Sequence, residues 1–165
     1  MTRTYYYLWY RLDHRDGYLL WFSNDVDGLI TTPDGMVPSF GALPGLQAYA
    51  SLAQLDLQED AFLLYDLDVV AAWLRQPLET ELDAEELLNA WNLFTDLAAS
   101  VNSSFEENRA LTQPVYEKLF WANNLPSVTP AGKQYIPVWS DDELRVMQEV
   151  LSHGLDLFRT HVKRQ

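Results

Sequence analysis

The chain has 165 residues, of which 48% are hydrophobic and 13% aromatic, and six are tryptophans. This composition excludes a wholly disordered chain, and the length suits one folded domain. The absence of cysteine excludes disulfides and thiolate chemistry. Eleven basic residues against 24 acidic ones give a net charge of −13 at neutral pH. Because affinity for phosphate backbones comes mostly from basic side chains, this charge argues against a nucleic-acid partner.

The first residues, MTRTYYYLWYRLDHRD, lack the continuous apolar segment and small-residue cleavage site of a signal peptide. No run approaches the roughly 18 apolar residues that suggest a membrane-spanning helix. We therefore expect a cytoplasmic protein with no membrane partner. We also expect a single domain over 1–165, β-rich in 1–41 and mainly helical in 42–165.

The first 41 residues predict two hairpins. The aromatic and aliphatic runs TYYYLWYRL and GYLLWFS flank the turn-forming cluster DHRDG. The segments GLITT and MVPSF flank PDG in the same way. Pro38 cannot donate to a ladder, so the last strand lies at an edge or ends there.

Helical patterns dominate the rest of the chain. LQAYASLAQL and DVVAAWLRQP predict helices, and the short apolar run AFLLYDL between them can add a strand. Asp83 with Glu86, and Ser140 with Glu143, are spaced as N-terminal caps of two further helices. The predicted fold class is α+β, with an N-terminal antiparallel sheet of about four strands followed by a helical C-terminal half.

The helix predicted from about Ala84 to Val101 is apolar on most sides. Its narrow polar strip has members spaced four, three and four residues apart: Glu85, Asn89, Asn92 and Asp96. The strip is either a solvent-exposed line or a line of contact with a partner. The apolar side chains of this helix, including Trp91 and Phe94, are expected to be buried.

The stretch VYEKLFWANNLP places Leu119, Phe120 and Trp121 side by side. We expect a helix capped by Thr112, with Pro114 in its first turn. Phe120 and Trp121 are expected to be buried between helices, and the alternative is an exposed patch for a partner. The aperiodic loop over 123–139 follows, and it is either a packed strap or a functional loop.

Negative charge is concentrated between Leu55 and Glu107, where thirteen acidic residues accompany one base, Arg75. This region is either a solvated surface or a patch that attracts a basic partner. Five carboxylates fall within positions 79–86, and the dipole of the following helix offsets those in its first turn only. The predicted partner-binding residues are therefore Glu79, Glu81, Asp83, Glu85, Glu86, Asn89, Asn92 and Asp96.

Motifs for chemistry are absent from the sequence. The three histidines show no ligand spacing, and there is no nucleophile elbow, phosphate-binding loop or dinucleotide fingerprint. Asp66 and Asp68 form either a carboxylate pair for acid–base chemistry or a helix cap. We expect no catalytic residues, no metal and no cofactor.

Three segments carry a resemblance: YYYLWYRLDHRDGYLLWFS, LLNAWNLFTDLAASV, and YEKLFWANNLP with VWSDDEL. They resemble the small acidic immunity proteins that bacteria carry beside secreted or contact-delivered toxins. The resemblance implies a cytoplasmic protein that binds and blocks one toxin domain. Nuclease toxins act on polyanions, so the expected partner is a basic toxin. The alternatives are a housekeeping adaptor for a basic protein, or a small enzyme with its site near the 123–139 loop. The toxin chemistry and the oligomeric state stay open.

Overall fold

The computed structural model describes residues 2–59 and 63–165. Within them the chain forms, in order, β1 (Thr4–Leu12), β2 (Arg15–Ser23), β3 (Gly28–Leu29), β4 (Val37–Ser39), α1 (Leu43–Leu52), β5 (Leu64–Asp66), α2 (Leu67–Arg75), α3 (Ala84–Ser100), α4 (Arg109–Ala122), α5 (Asp141–His161) and β6 (Val162–Arg164). No helix in these ranges has the length and apolar character needed to cross a membrane. Of the predicted AFLLYDL strand, Ala61 and Phe62 lie outside the described residues, and β5 forms from the rest.

The first hairpin is confirmed, since β1 and β2 pair antiparallel along their full length. Asp13 and His14 form its two-residue turn with φ angles of 54° and 59°, the left-handed backbone that such turns require. The Asp68 carboxylate fixes this turn by accepting hydrogen bonds from both backbone N–H groups, at 2.7 and 2.9 Å. Gly17 lies in β2 instead of the turn, where a Cβ would stand 2.4 Å from the Tyr10 ring.

The prediction of an α+β fold is confirmed, with a four-stranded sheet in the N-terminal half. Its strand order is β3-β2-β1-β5. The sheet is mixed because β5, which returns after α1, pairs parallel with β1. The second predicted hairpin forms its turn, in which the Thr32 N–H donates to the Met36 carbonyl at 2.8 Å. Its returning strand β4 does not pair with β3 but pairs parallel with β6.

Helices cover both faces of the sheet. Successive side chains of β2 point to opposite faces, so neighbouring residues of this strand show what packs on each face. Leu19 faces a large core shared with α2, α3, α4 and α5. Leu20 faces a smaller cluster that includes Leu46 and Ala50 of α1. The sheet therefore lies between α1 and the other four helices.

The predicted caps form at three helix starts. The Asp83 carboxylate accepts from the Glu86 N–H at 3.1 Å, and Ser140 with Glu143 completes a capping box on α5. Asp66 caps α2, with its carboxylate accepting from the backbone of Asp68 and of the next residue. Capping, the simpler of the two interpretations of Asp66, is therefore confirmed.

Helix α4 departs from prediction at its start. It begins at Arg109, three residues before Thr112, so Thr112 is a buried helix residue and Pro114 lies inside the helix. The predicted Thr112 cap is wrong because the buried side of the helix, which runs from Thr112 through Val115 to Leu119, sets its position. Burial is confirmed for Trp91 and Phe94, and Phe120 is half-buried.

The prediction that Trp121 is buried is wrong, because 47% of its surface is exposed. Each helix residue turns by about 100°, so Trp121 faces away from the single side of α4 that packs on the core. The cluster of Leu119, Phe120 and Trp121 is thus part core and part surface.

Candidate functional site

The exposed start of α3 carries the first four residues of the predicted partner-binding set. Glu79 and Glu81 lie in the segment between α2 and α3. Asp83 caps α3, and Glu85 lies in its first turn. All four side chains are exposed. We call these four residues the acidic start of α3.

Glu86 is turned inward by comparison. Its Oε2 accepts a hydrogen bond from the Asp66 N–H at 3.1 Å, which links the start of α3 to the end of β5. Burial raises the pKa of the Glu86 carboxyl, and the hydrogen bond from Asp66 opposes that effect. Glu86 therefore connects two elements of the fold and is less accessible than its neighbours.

The remaining three predicted residues follow along α3. Asn89 is half-buried and Asn92 is exposed. The Asn92 amide oxygen accepts a hydrogen bond of 2.7 Å from the Tyr116 hydroxyl of α4. Asp96, one turn further, lies in a cavity of about 270 Å³ between α3 and the sheet. The structure thus divides the predicted set into an exposed acidic start and a partly buried polar end.

The cavity at Asp96 brings together residues that are distant in the sequence. Asp27, Trp21 and Tyr65 line it with Asp96. Burial, and then the nearby Asp27 carboxylate, raise the pKa of Asp96 to about 6, while a hydrogen bond from Trp21 opposes the shift. Asp27 and Trp21 are absent from the predicted set, because they lie 69 and 75 positions before Asp96 and no motif links them.

We expect Asp96→Asn to raise the free energy of unfolding at pH 8 by about 1–2 kcal/mol. The folded pKa of about 6 exceeds the ordinary value of 3.8, so the folded state binds this proton more tightly than the unfolded state. The contribution of Asp96 to stability is therefore present below about pH 4 and is lost as pH rises through about 6. A pKa shift of this size corresponds to about 3 kcal/mol of stability. Partial exposure of the Asp96 side chain reduces this contribution.

Urea denaturation of parent and variant at pH 4 and pH 8 tests this expectation. The stabilisation should nearly vanish at pH 4, where the parent carboxyl is protonated. Glu85→Gln removes an exposed carboxylate from the same helix and should change stability by less than about 0.5 kcal/mol at either pH. Equal stabilisation by Asp96→Asn at both pH values would show that the carboxylate charge is not its cause.

The 123–139 loop begins beside the start of α3. Asn123, at the end of α4, donates from its side chain to the Ala84 carbonyl at 3.1 Å. The Asn124 side chain exchanges two hydrogen bonds with the Tyr135 backbone, at 2.7 and 2.9 Å. Lys118 donates to the Val138 carbonyl at 2.5 Å and pairs with Glu143 at 2.9 Å. These contacts fasten the loop at both ends.

The same loop exposes apolar side chains. Ile136 and Val138 are 75% and 85% exposed. The other exposed apolar residues nearby are Trp121, Leu125, Val128 and Tyr135. We call these six residues the apolar patch. The loop is therefore fastened at both ends and still exposes apolar surface.

Metal binding has no geometric support in residues 2–59 and 63–165, where no three histidine or carboxylate side chains come together to hold an ion. The same region contains six ion pairs, among them Arg11 with Asp16 and Arg159 with Asp13. None of the six involves the predicted partner-binding residues. Within the described chain these carboxylates therefore form no ion pair with lysine or arginine, although Arg75 and Arg145 line a cavity together with Glu79.

Comparisons with known proteins add information on the fold. No protein-family model and no curated protein matches the chain. Among solved structures, the chain resembles the C-terminal domain of SatS, crystallised in complex with bromine, with a TM-score of 0.60 and 16% sequence identity. The match covers 99% of this chain and 94% of that one. At this identity the likeness shows a shared fold over nearly the whole chain.

Proposed function

We propose that the protein is a cytoplasmic immunity protein that binds and neutralises a basic toxin, of the nuclease class, through its acidic surface. The observation that carries the proposal is the acidic start of α3. Glu79, Glu81 and Glu85 are exposed, and within the described residues none is paired with a lysine or arginine. Exposed carboxylates that repel one another gain most from a partner that brings positive charge.

The neighbourhood of these carboxylates supports protein binding. The Asn123–Ala84 hydrogen bond holds the end of α4 against the start of α3, so Trp121 and Leu125, two positions to either side of Asn123, lie near the acidic start of α3. Exposed tryptophan is enriched among the residues that dominate binding energy. Protein interfaces combine such an apolar centre with a charged rim. Trp121 and the four carboxylates have this composition.

A basic toxin fits this surface for electrostatic reasons. Nucleases bind polyanions with basic clefts, and opposite charge on an inhibitor raises the association rate by about 10- to 1,000-fold. Rapid association suits a protein that must intercept an arriving toxin. The immunity class itself rests on the resemblance of the three sequence segments given above.

The enzyme alternative has less support. The 123–139 loop contains two titratable side chains, Lys133 and Tyr135, and both are exposed. Acid–base catalysis uses groups positioned against each other in a protected site, which these two do not provide. The adaptor alternative uses the same acidic surface, so only the identity of the bound protein distinguishes an adaptor from an immunity protein.

We expect co-expression with a toxin encoded beside its gene to rescue growth. The triple variant Glu79→Lys, Glu81→Lys, Glu85→Lys should lose rescue and associate at least about tenfold more slowly with the purified toxin at low salt. Its rate should also depend less on ionic strength, because the steering charges have been reversed. Stopped-flow fluorescence at several salt concentrations measures both effects.

A matched control reverses three other exposed carboxylates, Asp56, Glu59 and Glu149. This variant has the same net charge but retains the acidic start of α3, so it should protect cells and associate within about threefold of the parent. Equal slowing of both triple variants would show that net charge alone attracts the partner. Full protection by the first variant would refute the acidic start of α3 as the binding surface.

A further inference from the structure

A second cavity, of about 370 Å³, opens between the β1–β2 turn and the end of α5. Its apolar wall includes the Tyr10 and Phe158 rings, which meet edge to face with centroids 4.9 Å apart. Three arginines also line it: Arg15, Arg159 and Arg164. The volume falls within the range of roughly 300–1,000 Å³ that small-molecule sites occupy.

The charge of this cavity is opposite to that of the protein. Three guanidinium groups and one carboxylate, that of Asp13, line it, although the whole chain has a net charge of −13. Arg159 lies 18 residues beyond the start of α5 at Asp141, which is about 27 Å along the helix axis. The surface proposed to bind a basic toxin does not include these arginines.

Two of the arginines are held in place by the fold. Arg159 donates to both carboxylate oxygens of Asp13. Arg164 belongs to β6, and its Nη2 donates to the Asp16 carbonyl at 3.3 Å. Its Nη1 lies over Gly41, where a Cβ would stand only 2.6 Å away. For these two arginines, ligand binding has little side-chain freedom left to remove.

The turn beside the cavity is fixed as well. Asp13 and His14 both adopt positive φ, and the Asp68 carboxylate holds their N–H groups. Non-glycine residues in this region carry a conformational cost that the surrounding structure must offset. The turn positions the Asp13 carboxylate against Arg159, and Arg15 directly follows the turn.

Arg15 is the arginine with free donors. Its side chain is exposed, and it makes no hydrogen bond or ion pair with any residue of 2–59 or 63–165. Asp13 neutralises Arg159, which leaves Arg15 and Arg164 as the uncompensated charges of the cavity. Guanidinium groups bind phosphate and carboxylate through paired hydrogen bonds.

We propose that this cavity binds a small organic oxyanion, in which a phosphate or carboxylate is joined to an aromatic or apolar group. The anionic group contacts Arg15 and Arg164. The apolar group lies against Val162 and against the small parts of the Tyr10 and Phe158 rings that line the cavity, since both rings are otherwise buried. This site is separate from the acidic start of α3 and does not depend on the immunity function.

Phenyl phosphate is the probe, with inorganic phosphate and phenol as its two halves, and isothermal titration at low ionic strength measures binding. Phenyl phosphate should bind at least about tenfold more tightly than either half, because it uses both the arginines and the rings. Arg15→Gln with Arg164→Gln should weaken its binding about tenfold or more. The control pair Arg109→Gln with Lys133→Gln changes two exposed bases outside the cavity and should stay within about twofold of the parent.

Gly41→Ala tests the position of the Arg164 guanidinium separately from its charge. The added methyl group displaces the Arg164 guanidinium without altering net charge, so binding of phenyl phosphate should weaken several-fold. Three results would overturn the proposal: no binding of phenyl phosphate at millimolar concentration, equal binding of phenol, or equal weakening in the control pair. Comparison of phenyl phosphate with benzoate then shows which oxyanion the site prefers.

Discussion

Replacing Trp91 by alanine should lower the free energy of unfolding by about 3–5 kcal/mol, measured by urea denaturation. Trp91 is completely buried in α3, and its ring meets Tyr116 of α4 edge to face at 5.4 Å. The side chain fills the junction of these helices with the core, so truncation leaves a cavity that neighbouring side chains cannot close. The loss is large compared with the total stability of a domain.

Trp91→Phe is the matched control for this cavity. The Trp91 indole N–H is buried without a hydrogen-bond partner in the described structure, and phenylalanine removes that donor while keeping an aromatic ring. Loss of an unsatisfied donor offsets part of the packing loss, so we expect a cost well below that of alanine. If alanine and phenylalanine cost the same, the cavity explanation is wrong.

Gly154→Ala should destabilise the protein by about 1–3 kcal/mol or more, although alanine favours helices by about 1 kcal/mol over glycine. A Cβ at Gly154 would stand 2.1 Å from Cδ2 of Phe94, a ring with no exposed surface. The missing side chain therefore allows α5 to approach α3 closely. Differential scanning calorimetry should show a lower melting temperature.

Gly45→Ala in α1 makes the same chemical change where there is room. Its Cβ would stand 3.6 Å from the Phe40 ring, an ordinary contact, so helix propensity should dominate and stability should rise or stay unchanged. The contrast between the two glycines is the test. A Gly154→Ala protein as stable as the parent would mean that α3 and α5 separate at little cost.

Local features of the fold could be predicted from the sequence because their causes are local. Two aromatic and aliphatic runs around a turn-forming cluster predicted the first hairpin, and Asp83 and Ser140 predicted the starts of two helices through bonds that span three residues. Helical periodicity placed Trp91 and Phe94 in the core. Each of these signals lies within one element or its immediate neighbour.

Partners distant in the chain could not be predicted in the same way. The strand β4 carries only three residues, too few to indicate that Val37 pairs with Val162. Trp121 is exposed because no second element in residues 2–59 or 63–165 covers the outer side of α4, and periodicity reveals a wide apolar surface without showing what covers it. Both errors concern contacts between separate elements.

The candidate site also combines features that local sequence signals predict with features that depend on residues distant in the chain. Charge density located the acidic start of α3, and the four-three-four spacing correctly placed Asn92 and Asp96 along one helix. The environment of Asp96 depends on Asp27 and Trp21 from another part of the chain, and its raised pKa follows from that environment. The arginines of the second cavity likewise converge only in the folded structure.

The pairing of β4 with β6 has a consequence for how the protein folds. Val37 and Val162 are 125 positions apart, and all five helices lie in the segment that this pair encloses. Closing so long a segment has an entropic cost that must be met before the pairing stabilises anything, and such non-local contacts slow folding. Once formed, the pairing links the end of α5 to the sheet, because Phe40, directly after β4, exchanges backbone hydrogen bonds of 2.8 and 3.0 Å with Tyr18 of β2. We therefore expect the sheet and the helices to unfold as one cooperative unit.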